Sequence, residues 1–216
     1  MIQGIARAVI VVAVIAAVWL ALPQSTAFAE DEQSAAELSI EQSTEQAANQ
    51  LVKQCAMCHG QDGNSKTSAF PSFGGISQKY FKYTMDAYKN GGRKSDMMKR
   101  FVENLTAQDI DLLAEYFSQQ SFKPADQQFD PQLAQKGQEL HNKYCAKCHD
   151  NDGRVDPNNY GILAGQWMPY LSQVIKEYLG GTRRVNPMMV KKLKRVQNEV
   201  GSEGFEQLVN FYASVQ

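Results

Sequence analysis

Cys145-Ala146-Lys147-Cys148-His149 restates, ninety residues on, the pattern Cys55-Ala56-Met57-Cys58-His59. Paired cysteines at this spacing can hold zinc, run a redox disulfide or be bonded to a porphyrin, and each use implies a different fold. Working outward from the motif, the likeness continues. Phe73-Gly74-Gly75 falls on Leu163-Ala164-Gly165, Tyr80-Phe81 on Tyr170-Leu171, Tyr88 on Tyr178, and Gly91-Gly92 on Gly180-Gly181. Met97-Met98 falls on Met188-Met189, and Leu113-Ala114-Glu115-Tyr116-Phe117 resembles Leu208-Val209-Asn210-Phe211-Tyr212. A period this long marks a duplicated domain and not a solenoid repeat.

The boundary falls in a polar stretch bracketed by Pro124 and Pro131. The expected organisation is a first domain over 44–122, a linker over 123–131 and a second domain over 132–216. Apolar spacing in both copies is helical. Thr106, with Asp109 three residues on, opens a helix carrying Ile110, Leu113, Tyr116 and Phe117. Ser202 is placed to cap a helix carrying Phe205, Leu208, Val209 and Tyr212. Further helices are expected over Lys79–Lys89 and Met168–Leu179, each closed by a Gly pair supplying a left-handed cap. No sustained alternation of the strand kind occurs, so the expected fold class is all-α.

Lys and Arg total 22 against 23 Asp and Glu, a net charge of −1 that gives no reason to expect nucleic acid. The N-terminal 29 residues differ in kind: Arg7, an apolar run from Ala8 to Leu22, then Pro23 and small residues ending Ala27-Phe28-Ala29. This order reads as a secretory signal peptide. The apolar run, about 15 residues against the roughly 20 a spanning helix needs, is short for a membrane anchor. Left uncleaved it would tether the chain, and in either case the bulk lies in the periplasm. Residues 30–43 are acidic and Gln- and Ser-rich, without aromatics, and are expected to be mobile.

The histidine in the fifth position answers the opening question. In Cys-x-x-Cys-His the two thiols bond covalently to porphyrin vinyl groups and the histidine reaches one face of the iron. Cys55 and Cys58 with His59, and Cys145 and Cys148 with His149, therefore predict two covalently bound c-type haems. A zinc ribbon brings its cysteine pairs about 15–20 residues apart within one domain, whereas here each pair has its own domain. A thioredoxin-like pair would want a βαβ pattern. A cofactor at the centre also supplies core to domains too small to bury much surface unaided.

Only three histidines occur, and two belong to the motifs. His141, four residues before Cys145, lies on the attachment side and reads as a partly exposed helix residue. Methionine is better placed for the second axial position: His59 to Met98 is 39 residues and His149 to Met189 is 40. A neutral, soft thioether stabilises ferrous iron and raises the potential relative to two histidines. Adjacent Met97 and Met188 have nearly the same spacing, so spacing alone does not choose within each pair. Tyr80, Tyr88, Trp167, Tyr170 and Tyr178 read as core packing with an option on the porphyrin. Arg93, Arg183 and Arg184, after the Gly pairs, read either as propionate partners or as a solvated loop.

Two Cys-x-x-Cys-His motifs, two downstream methionines and two Gly-pair loops resemble the diheme cytochromes built from tandem class I cytochrome c domains. "LHNKYCAKCHDNDG", "GILAGQWMPYL", "MVKKLKR" and "FYASVQ" in the second half, with "KSDMMKR" in the first, are similar to the cytochrome subunit of flavocytochrome c sulfide dehydrogenase. That resemblance implies Met98 and Met189 as axial ligands. It also implies an FAD-binding flavoprotein partner that oxidises sulfide, with FAD in that partner only, and a soluble cytochrome c or similar acceptor. The alternatives are a free-standing or membrane-tethered shuttle of the cytochrome c-four type and, third, a haem peroxidase or sensor. The last needs an open iron, against which the methionines argue. No nucleophile or general-base constellation is present, so no catalytic residue is expected. Class I domains place a Pro carbonyl against the proximal histidine. Pro71 fits that position, and its counterpart is Gly161.

Overall fold

Most helix starts in this chain coincide with side chains able to cap them. The computed structural model describes residues 46–156 and 159–216, and the expected signal segment 1–29 and acidic segment 30–43 lie outside them. The helices run α1 (46–59), α2 (Gln78–Lys89), α3 (Asp96–Val102), α4 (Ala107–Ser118), α5 (Pro131–Leu140), α6 (Met168–Leu179), α7 (Pro187–Val200) and α8 (Glu203–Ser214). Among the described residues there is no strand, only a single antiparallel bridge between Arg93 and Arg183. The all-α expectation holds.

Ser77 caps α2, Ser95 caps α3 and Asn186 caps α7, each accepting from a backbone N–H in the first turn. Thr106 and Asp109 form the expected reciprocal capping box at α4. Ser202 does not act as expected. Its backbone is already helical (φ −65°, ψ −27°), so its hydroxyl makes no capping bond. The tight turn from α7 is made instead by Gly201 at φ +79°. The left-handed residue that ends α2 is Gly91 (φ +75°), and the one that ends α6 is Gly181 (φ +68°). The true correspondence is therefore Gly91 with Gly181, one residue off the sequence pairing. After α6 the N–H of Thr182 reaches Glu177 O (3.0 Å) and that of Gly181 reaches Tyr178 O (3.3 Å), satisfying the last carbonyls.

The repeat is visible in the hydrogen bonds. Gly63 O accepts from the N–H groups of Phe73 and Gly74, as Gly153 O does from Leu163 and Ala164. Gly75 N–H donates to Phe117 O (2.8 Å) and Gly165 N–H to Tyr212 O (2.7 Å). One apolar cluster gathers Val52, Phe81, Val102, Leu113 and Phe117, and the other Leu140, Leu171, Val196, Leu208 and Tyr212. The halves differ at the motif helix. In the second, α5 runs into a π-type turn over His141–Cys145, with Ala146 N–H reaching back to His141 O. Such turns are rare and cluster at functional sites.

The halves meet as the two sides of a pseudo-two-fold. Arg93 contacts Tyr170 and Arg183 contacts Tyr80, and these are equivalent pairs under the ninety-residue repeat. The Gln166 side chain accepts from Ser72 N–H (3.0 Å) and donates to Ser72 O (2.7 Å), while Trp167 Nε1–H donates to Ser65 O (3.3 Å). Asp156 accepts from Ser77 N–H at 3.1 Å.

In the second half α5 and α8 cross so closely that a Cβ on Gly137 would lie 2.0 Å from the Gln207 carbonyl oxygen. Gly137→Ala should therefore destabilise the protein by about 2–3 kcal/mol despite its better helix propensity, because two helices must separate. Guanidinium unfolding of the haem-loaded protein measures this, and an unchanged or raised midpoint would contradict the close crossing.

Candidate haem-binding cavity

Both motifs open on one continuous cavity of about 1000 Å³, lined by Cys55, Cys58 and His59 from one half and Cys145, Cys148 and His149 from the other. In the first half the end of α1 carries Cys55, Cys58 and His59; in the second, Cys145 closes the π-type turn and Cys148 and His149 follow in the turn after it. None of the four cysteines is in a disulfide. Burial pushes the Cys55 and Cys145 thiols up to about 11, so both are neutral at ordinary pH. Among the described residues no three His, Cys, Asp or Glu side chains converge on a point, which removes the donor set that a zinc site would need.

His59 is 9% exposed, and its Nδ1 lies 2.8 Å from Pro71 O. A carbonyl only accepts, so Nδ1 carries the hydrogen and Nε2 keeps its lone pair for a metal. Burial holds the His59 pKa below the usual histidine value, which keeps the ring neutral. His149 is equally buried, and burial, with His141 adding to it, pushes it down to about 4. Where Pro71 stands in the first half, Gly161 stands in the second at φ +84°, because the Tyr80 ring lies 3.1 Å from where a Cβ would be. Among the described residues His149 makes no hydrogen bond like that of His59 to Pro71. The aromatic neighbours do correspond: Phe70 lies 5.8 Å from His59 and Tyr160 lies 5.8 Å from His149.

The methionines separate by helix position. With Ser95 as cap, Met97 and Met98 are the second and third residues of α3; with Asn186 as cap, Met188 and Met189 hold the same positions in α7. Met97 and Met188 are each 52% exposed. Met98 and Met189 are half-buried, and Met98 packs on the first apolar cluster. The one-residue difference between the two spacings is absorbed in the loop before the Asn186 cap.

The arginines also separate. Arg184 is exposed, whereas Arg93 and Arg183 are buried. Arg93 lies over the Tyr88 ring (4.6 Å) and donates to Tyr170 Oη (3.0 Å); Arg183 lies over the Tyr178 ring (5.0 Å) and donates to Tyr80 Oη (3.3 Å). Glu177 is the ion-pair partner of Arg183, at 3.7 Å, yet Arg183 Nη1 has no hydrogen-bond partner. A buried guanidinium with an orphaned N–H at a cavity wall fits a group that brings its own carboxylates, as a haem does. Of the five singled-out aromatics, the four tyrosines line the cavity; Trp167 instead packs at the join between the halves.

Three site features had no sequence signal. His141, expected partly exposed, is 1% exposed, and its Nδ1 lies 3.0 Å from the Tyr212 hydroxyl beside Cys145. Its counterpart in the first half is Leu51, and that of Tyr212 is Phe117, so a buried polar pair replaces an apolar one behind the second motif. Gln166 and Asp156, which join the halves, are the other two. Their partners are 94 and 79 residues away, beyond any local pattern.

Residues 42–117 match the family described as cytochrome c oxidase, cbb3-type, subunit III. The chain is 32% identical over 147 residues to cytochrome c4 of Azotobacter vinelandii, covering 60% of this chain and 69% of that one. It is 40% identical over 89 residues to the cytochrome subunit of sulfide dehydrogenase of Chlorobaculum tepidum, 41% of this chain and 80% of that one. The crystal structure of reduced recombinant cytochrome c4 from Pseudomonas stutzeri superposes with a TM-score of 0.67 at 25% identity, over 79% of this chain and 98% of that one. With two haem-attachment motifs on one cavity and this likeness across both halves, the chain belongs to the diheme class I cytochrome c family, of the cytochrome c4 kind.

Proposed function

We propose that this diheme electron carrier works as the electron-transfer subunit of a sulfide-oxidising complex. It would accept electrons from an FAD-containing partner and deliver them to a soluble cytochrome c or similar acceptor. The electron-carrier part rests on one observation: both Cys-x-x-Cys-His motifs and the third-position methionines of α3 and α7 line the same cavity. The sulfide part rests on the sequence likeness to sulfide dehydrogenase cytochrome subunits, including the Chlorobaculum tepidum relative. The N-terminal basic, apolar and small-residue order supports reading this work as done outside the cytoplasm.

In this reading Cys55, Cys58, Cys145 and Cys148 would bond the two haems, His59 and Met98 would ligate the first, and His149 and Met189 the second. Bound haem supplies a reversible one-electron couple. The chain holds neutral ligands against it, fixes the His59 ring through Pro71, surrounds it with apolar side chains and offers Arg93 and Arg183 to its propionates. Residues 44–122 and 132–216 form the two haem-bearing domains, with 123–131 as the linker. A free-standing shuttle is the second reading, favoured by the likeness to cytochromes c4 over both halves.

Met98→Ala and Met189→Ala should each remove about half of the methionine-to-iron charge-transfer absorption and open one iron to carbon monoxide, while Met97→Leu and Met188→Leu leave both signals intact. Loss of the band in the Met97 or Met188 variants would reverse the assignment. For the partner, native purification with the absorption spectrum read for flavin separates the two readings. Flavin at one per two haems, with sulfide reducing the haems only in its presence, is expected. A flavin-free cytochrome turned over by a membrane complex would make the shuttle reading correct.

A further inference from the structure

The second methionine-bearing helix carries a feature that ligand binding does not use. Beside the haem cavity lies a separate open groove of about 660 Å³, lined by Arg184, Pro187, Lys191, Lys194, Arg195 and Asn198. It shares Tyr178, Arg183, Arg184 and Val185 with the central cavity, so it opens at the edge of the Met189 site. Among the described residues no carboxylate lines it. Among the described residues Arg184, Lys191, Lys194 and Arg195 make no ion pair, whereas Lys82, Lys123, Lys136 and Lys143 each do. All four groove cations are exposed.

This concentration is local, since the whole chain carries a net charge of −1. Nor is it inherited from the repeat. Over 94–104 the first half has three cations against two carboxylates; over 184–195 the second has five cations and no carboxylate. With the capped methionines superposed, Lys194 falls on Glu103 and Arg195 on Asn104. Lys191, Lys194 and Arg195 lie three and four residues apart on one face of α7, while Leu193 and Val196 face the core. Like charges at this spacing weaken a helix, and among the described residues no carboxylate in the groove lining offsets the repulsion.

Resting on the electron-carrier reading, we propose that this face of α7 with the Arg184 turn is a docking surface for an acidic region of a protein redox partner, making the second haem the port for that partner. The cations span the Arg184 turn and about one turn of α7 and are all exposed, which suits a broad anionic surface; a small anion would need donors converging on a buried point. Such complementarity acts chiefly on the rate of encounter, because opposite charges steer two proteins together before they touch.

The test uses the haem-loaded protein, reduced, and follows its oxidation in stopped flow by two probes: an acidic blue copper protein and ferricyanide. Lys191→Glu/Lys194→Glu is compared with Lys53→Glu/Lys66→Glu, which changes net charge equally at exposed lysines of the first half. Spectra and potentials are checked to be unchanged. At low salt the α7 variant should react with the copper protein roughly tenfold more slowly than wild type and lose most of the salt dependence. The control pair should stay within about twofold, and ferricyanide should distinguish the two variants little. Equal slowing by both pairs, or wild-type rates indifferent to salt, would overturn the surface. So would a loss as large with ferricyanide as with the copper protein, which would make the groove a small-anion site. A wild-type protein that reduces neither probe would overturn the carrier reading itself.

Discussion

In the proposed reading, covalent attachment at one motif and ligation from a later helix set the terms for everything else in this chain. A porphyrin fixed at Cys55 and Cys58 would demand that Met98, 39 residues after His59, arrive at a definite place, and the second half would meet the same demand with one residue more. Serine and asparagine caps hold the methionine at the third position of its helix in both halves, and left-handed glycines at 91 and 181 turn the chain toward those helices. Apolar side chains fill what the cofactor leaves. A half of about eighty residues buries little surface by itself, so a bound cofactor would add to its core.

The join between the halves answers a second demand. Two guanidiniums that cannot lose their charge are buried beside each other, each laid over a tyrosine of its own half and bonded to a tyrosine hydroxyl of the other. Because the Arg93 and Arg183 backbones also pair, neither half can shift without disturbing the cation that faces both haem pockets. The electrostatic environment of the two redox centres is therefore shared, while their immediate surroundings are not. His59 leans on a proline carbonyl, and the space behind Cys145 holds a histidine–tyrosine pair where the first half has leucine and phenylalanine.

The sequence was most readable where structure is local. The haem motifs, the helix over Met168–Leu179 and the Thr106–Asp109 box follow from neighbours within a few residues, and the repeat itself is plain once the motifs are superposed. Reading failed where the deciding partner is distant. His141 looks like a surface residue until Tyr212, 71 positions on, is packed against it. Ser202 has the composition of a cap, but Gly201 has already turned the chain. All four methionines line the cavity, and what separates each pair is burial, Met97 and Met188 being exposed and Met98 and Met189 half-buried, which neither composition nor distance along the chain contains.

The ninety-residue correspondence bears on how the halves choose each other. Ser72 and Gln166 bond across the join, and their counterparts on the opposite side of the pseudo-two-fold are Ile162 and Ile76, which lie in one apolar cluster. Two first halves facing one another would set each Ser72 backbone against an isoleucine; two second halves would bury each Gln166 amide against one. Either arrangement leaves polar groups unpaired, whereas first with second satisfies both sides. The join therefore favours unlike halves over like ones, and fusing the two in one chain keeps the matching half always within reach.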